Sequence, residues 1–291
     1  MNRRSLYRRT RTPLVALATA SVGATLLVST VGPASASTSP ASDTSSTQSA
    51  TASKPTVVLV HGAWADASSW DGVITRLENR GYHVVAPPNP LRGVSSDAAY
   101  LADYLKTING PIVLAGHSYG GMVITNAALG NPNVKALVYI DAFIPQKGQS
   151  AGQIATSVPG SVTEQDPATV FNFVPFPGAP AGDADLYLKP EVVSSSFAQD
   201  LSTEQRNQIM ATQRPLEASA VTEESGDPAW QTIPSWALIG RQDKVIPAAA
   251  QEAGAKAAHS NVEEINSSHV SLVSHPGAVA DIINSAACAT R

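Results

Sequence analysis

The stretch IVLAGHSYGGMVI, residues 112–124, decides how this chain folds. Four apolar residues, Ile112 to Ala115, run into Gly116. A serine then stands between a histidine and a tyrosine, and Gly120-Gly121 leads into a second apolar run. A short branched run stopped by glycine reads as a buried strand, and the run after the glycines reads as a helix. The spacing Gly-x-Ser-x-Gly over 116–120 suits a sharp turn between them. Glycines two residues to either side of Ser118 let the strand and helix backbones approach closely, which pushes the serine out at the strand tip. The backbone N–H of Tyr119 then points into the same space, so the turn presents one hydroxyl beside one amide donor.

Working outward, short branched runs alternate with amphipathic stretches, as in a parallel sheet covered by helices. The expected strands are 56–60, 82–86, 111–115, 134–140, 235–239 and 261–265. Trp70, Val73, Ile74 and Leu77 recur at helical spacing, with Gly81 as the stop. Ser95-Ser96-Asp97 offers a helix N-cap, and Ala98, Leu101, Leu105 and Ile108 make one apolar face. The fold class is therefore α/β, a doubly wound, mainly parallel six-stranded sheet with ligands expected beyond the strand C-termini. Residues 142–230 break the alternation after the fourth strand. They lack strong strand runs and carry a capping-box sequence at Ser202 to Gln205, so they read as a helical lid over the site.

The chain start reads differently. Residues 3–11 hold five arginines, 13–31 are apolar and small, and Ala34-Ser35-Ala36 offers a cleavage site. Residues 1–36 are thus expected to be a signal peptide cleaved near Ala36, which makes the mature protein secreted with no stable membrane insertion. Residues 37–53, rich in Ser, Thr and Ala, cannot build a core and read as a disordered linker to a domain over 54–291. Taking five arginines from 19 basic residues leaves 14 against 23 acidic ones, so the net charge moves from −4 to −9. Such a surface suits neither nucleic acid nor anionic lipid. The single cysteine, Cys288, excludes an internal disulfide, and oligomeric state is not encoded in any motif.

A serine needs a base oriented by an acid to become a nucleophile. Of six histidines, His269 in the loop after the last strand is best placed to reach back over the sheet, ahead of His275, which precedes the proline of a final helix. Asp243 and Asp141 both lie beyond strand C-termini. Asp243 is preferred because Ser118, Asp243, His269 is the chain order that accompanies this elbow. The turn after the first strand, His61-Gly62, aims the N–H of Ala63 at the same space as that of Tyr119, giving two donors for an oxyanion. Trp64 and Trp70 read as packing residues, Trp64 with access to the pocket. No metal or nucleotide motif occurs, so no cofactor and no metal are expected.

Taken in order, HGAW (61–64), GHSYGG (116–121), GRQDKVIP (240–247) and SSHVSLVSHP (267–276) resemble the α/β-hydrolase superfamily, and within it the small carboxylesterase branch related to plant methyl esterases and hydroxynitrile lyases. The resemblance implies a Ser118, His269, Asp243 triad and an oxyanion hole at Ala63 and Tyr119. It also implies a serine hydrolase acting on small-molecule esters, with lactonase, amidase, ligand-binding and cofactor-free lyase relatives on the same fold. No strand precedes 56–60, so six strands are expected where larger relatives have eight. Hydroxynitrile lyases of this branch carry a lysine after the catalytic histidine; Val270 stands there, which argues against cyanohydrin cleavage.

Overall fold

The computed structural model describes residues 54–290, so the expected signal peptide and linker lie outside the described residues. The strands run in chain order as β1 (Thr56–Val60), β2 (Val84–Val85), β3 (Ile112–His117), β4 (Val134–Ile140), β5 (Phe171–Val174), β6 (Asp185–Leu188), β7 (Leu216–Glu217), β8 (Ser235–Gly240) and β9 (Asn261–Ile265). The α-helices of five residues or more are α1 (Asp71–Asn79), α2 (Val94–Leu105), α3 (Gly120–Ala127), α4 (Ala151–Ala155), α5 (Thr203–Thr212), α6 (Ala218–Thr222), α7 (Ala248–Ala257) and α8 (Pro276–Ala289).

Six strands form one sheet in the order β2-β1-β3-β4-β8-β9, every pairing parallel. The central strands β1, β3, β4 and β8 are buried almost throughout, which is why they read as unbroken apolar runs. At the edges the sequence spoke more faintly. The second strand is shorter than the expected 82–86, because the N–H of Tyr82 closes the end of α1 on Leu77 and pairing with β1 begins only at Val84. At the other edge β9 is mostly exposed and carries Glu263 and Glu264, charges that discourage further strand addition. α1 packs against α8 and α2 against α3, so the helices flank the sheet in pairs. Gly81 ends α1 in the left-handed conformation (φ 77°), as its position implied.

The start of α2 differs from expectation. Its N-cap is Gly93 and Ser95-Ser96-Asp97 lie inside the first turn. The orphan N–H groups of Val94 and Ser95 are taken by the Glu223 carboxylate at 2.6 and 3.0 Å, a partner 129 and 128 residues away that no local pattern reveals.

The insertion between β4 and β8 carries helices as expected, including α5, whose capping box of Ser202 and Gln205 is fully formed. It also holds a small antiparallel sheet, β5-β6-β7. Its two longer strands are four-residue runs of mainly aromatic and aliphatic side chains, and the proline-rich segment 175–184 joins them as a hairpin. No described helix is long and apolar enough to cross a membrane.

Candidate active site

Ser118 follows the last residue of β3 and precedes α3, and its φ of 52° lies in the left-handed region that non-glycine residues avoid. The turn is held by three bonds through the serine backbone: its N–H donates to Ile140 O (3.3 Å), and its carbonyl accepts from Gly121 N–H (2.9 Å) and Phe143 N–H (3.2 Å). Close approach explains the flanking glycines. A Cβ on Gly116 would lie 2.6 Å from Gly120 O, a backbone atom with nowhere to go. Gly116→Ala is therefore expected to cost about 3 kcal/mol by overpacking. In thermal denaturation that is a fall in Tm of about 6–12 °C for a domain of this size; an unchanged Tm would show that the elbow can widen.

From Ser118 a hydrogen-bonded relay crosses three loops. His269 Nε2 is 2.8 Å from Ser118 Oγ, and His269 Nδ1 is 2.7 Å from Asp243 Oδ2. All three side chains are buried. A carboxylate only accepts, so Nδ1 carries the proton and Nε2 is left to accept from the serine hydroxyl. Asp243 is itself pinned: Oδ1 accepts from the N–H groups of Val245 (2.8 Å) and Ile246 (2.9 Å), and Oδ2 also accepts from Gln251 Nε2 (2.8 Å). The alternative acid and base stand elsewhere. Asp141 accepts from Gly240 N–H and Ser271 N–H, both at 2.9 Å, and His275 pairs with Ser274 Oγ at the start of α8.

His117 lies under the relay. Its Nε2–H donates to the carbonyl of His269 at 2.8 Å, and the two rings stand 5.0 Å apart. Burial first, and then the charge His269 would carry, hold the His117 pKa well below the ordinary histidine range, so it serves as a neutral strut. Two backbone donors belong to residues that line the cavity with Ser118. The N–H groups of Ala63 and Tyr119 find no partner among the described residues, and both residues line the cavity that opens on Ser118. That cavity measures about 280 Å³ and no charged side chain lines it; Trp64, Phe143, Phe171, Phe173 and Leu186 are among its walls. Among the described residues no cluster of three or more His, Cys, Asp or Glu stands close enough to hold a metal ion.

The family model for the alpha/beta hydrolase family matches residues 57–282, nearly the whole described chain. This chain belongs to the alpha/beta hydrolase family. Over 106 residues the hydrolase is 35% identical to a carbendazim-hydrolysing esterase of Nocardioides sp. strain SG-4G, a match covering 32% of this chain and 44% of that relative. The chain thus aligns with less than half of that protein's length. It is also 26% identical over 260 residues to the alpha/beta hydrolase nvfD of Aspergillus novofumigatus, covering 80% of this chain and 97% of the relative. Among solved structures, polyneuridine aldehyde esterase superposes with a TM-score of 0.68 at 20% identity, over 80% of this chain and 99% of that one, which shows a shared fold.

Three residues to which sequence reasoning assigned no role here, Asn89, Asp97 and Gln251, support the hydrolase's site. Asn89 grips the turn before Ala63: its backbone N–H donates to His61 Nε2 and its Nδ2 to His61 O, both at 3.0 Å, while His61 Nδ1–H reaches Gly62 O at 2.9 Å. Burial lowers the His61 pKa, so this imidazole is neutral with Nε2 free to accept. Asp97 takes the hydroxyl of Tyr119 at 3.1 Å and the N–H of Arg92 at 3.1 Å, tying the residue after the serine to the loop before α2. Gln251, on the helix after Asp243, fixes that carboxylate. Only its spacing of eight residues within an alanine-rich helix hinted at it.

Proposed function

We propose that this chain is a serine hydrolase, a carboxylesterase that cleaves small to medium, uncharged esters through an acyl-enzyme on Ser118. The observation that carries the reading is the continuous relay Ser118, His269, Asp243 beside an apolar cavity lined by Ser118, Ala63 and Tyr119, the last two with backbone N–H groups that have no partner among the described residues. In acylation, Ser118 Oγ attacks the ester carbonyl as His269 Nε2 takes its proton. The carbonyl oxygen becomes an alkoxide held by the N–H groups of Ala63 and Tyr119. The tetrahedral adduct collapses as the imidazolium returns that proton to the departing alkoxide, releasing the alcohol. Water, deprotonated by the same Nε2, then hydrolyses the acyl-enzyme to the acid and regenerates Ser118.

Asp243 keeps His269 in the tautomer with Nε2 bare and stabilises the cation formed on proton transfer. The apolar walls favour uncharged substrates, since a buried charge without a partner costs several kcal/mol. The carbendazim-hydrolysing relative, matched over part of its length, supports ester cleavage as the reaction class. Residues 1–36 support secretion, the protein acting outside the cytoplasm after removal of that segment.

Incubation with an alkyl fluorophosphonate, followed by peptide mass spectrometry, tests the reading. A single adduct on the peptide bearing Ser118, formed in step with loss of p-nitrophenyl ester hydrolysis, is expected. Full hydrolysis with Ser118 unlabelled would overturn the acyl-enzyme, and a folded protein inert to esters from acetate to palmitate would overturn the esterase.

A further inference from the structure

Trp64 borders two chambers. On one side is the catalytic cavity; on the other is a cleft of about 260 Å³ walled by Ser68, Ser69 and Asp71 where the chain enters α1, by Gln205 and Gln208 of α5, and by Leu272 and Val273 just beyond His269. No other described residue lines both. The partition is held firmly. The indole Nε1–H donates to Leu186 O at 2.8 Å, the ring stacks on Phe171 (5.5 Å between centroids) and meets Phe197 edge-on (6.1 Å), and the backbone N–H donates to Arg214 O at 2.8 Å. Trp64 also keeps a φ of 57°, which bulky residues avoid and surrounding contacts must enforce.

The two chambers differ in kind. The catalytic cavity is apolar, whereas the far cleft sets the hydroxyls of Ser68 and Ser69, the Asp71 carboxylate and the Gln205 and Gln208 amides beside apolar Ile209, Leu272 and Val273. We infer that Trp64 is a specificity-determining partition that caps the length of the apolar group accepted beside Ser118 by walling the cavity off from the second chamber. If the two spaces join once the indole is gone, their volumes of about 280 and 260 Å³ add to nearly twice the catalytic cavity. It would then admit longer chains, those ending in a hydroxyl or ether group above all, because the far walls offer them hydrogen bonds. This deepens the esterase reading where turnover is concerned, and the cavity geometry alone carries the binding part.

The test uses both properties on the full chain. In Ser118→Ala, calorimetry with primary alcohols from butanol to dodecanol should show affinity rising by up to about fourfold per methylene and then stopping when the cavity is full. In Ser118→Ala/Trp64→Gly, where glycine accepts the left-handed backbone, the rise should continue for several further methylenes. Adding Gln208→Trp to fill the far chamber should bring the stop back. If Trp64→Gly does not fold, Trp64→Phe trims the ring and should lengthen the limit by at least one methylene. A stop at the same length with and without the indole, or one that Gln208→Trp does not restore, overturns the partition.

With Ser118 present, the optimum of a p-nitrophenyl ester series should move to longer acyl chains by the same number of carbons in Trp64→Gly. Turnover without that move overturns the partition and leaves the esterase standing. No turnover by any variant overturns the esterase, and the alcohol series still decides the partition.

Discussion

Replacing Ser118 with alanine is expected to lower kcat on p-nitrophenyl esters by at least about 10³-fold, and toward about 10⁶-fold where the background reaction allows it to be read. The change removes one oxygen and little else. Ser118 is buried, its side chain bonds only to His269, and its backbone bonds to Ile140, Gly121 and Phe143 remain available to alanine. KM should therefore move by only a few-fold and circular dichroism should be unchanged, which separates loss of the nucleophile from loss of the fold. The residual rate would measure what the Ala63 and Tyr119 donors achieve by stabilising an oxyanion formed by direct attack of water. A folded Ser118→Ala protein retaining a tenth or more of wild-type kcat would exclude covalent catalysis and turn attention to His269 as a base acting on water.

The sheet was legible because buried parallel strands must be apolar on both faces, so TVVLV and VKALVYI announce themselves without alternation. The elbow was legible for a steric reason: only glycine at 116 lets the backbone at 120 pass so closely. His269 and Asp243 could be read from loop position, since the C-terminal ends of parallel strands converge on one rim of the sheet. Loop position alone leaves Asp243 and Asp141 open, two buried carboxylates at neighbouring strand tips, and the chain order Ser118, Asp243, His269 decides between them. The lid was harder to read, because β5 and β6 are only four residues long and are divided by a proline-rich loop. Asn89 and Glu223 escaped notice, and Asp97 reads only as part of a helix cap, because each acts on a backbone or side-chain group brought to it by the fold.

The same pair of carboxylates sets the second large effect: Asp243→Asn is expected to cut kcat by about 10⁴-fold while the protein stays folded. At the Oδ1 position two backbone donors, Val245 and Ile246, converge, so an asparagine there must present its carbonyl oxygen to them. Its amide then faces His269 Nδ1, a donor where the imidazole needs an acceptor. The ring is driven to the tautomer with Nε2 protonated, which cannot take the serine proton. Asp141 cannot stand in. Both its oxygens are engaged by Gly240 and Ser271, and burial, followed by the charge of Asp243, pushes its carboxyl up to about 7, so it is less fully ionised than an ordinary carboxylate.

Asp141→Asn should accordingly fail in a different currency. With an amide set against one of two backbone donors, it should lose about 1–3 kcal/mol of stability, while the kcat of the folded fraction stays within about tenfold of wild type. Chemical denaturation and active-site titration measured together on both variants separate the roles. A 10⁴-fold loss in Asp141→Asn at unchanged stability, with Asp243→Asn near wild type, would reverse the assignment and make the tip of β4 the source of the orienting acid.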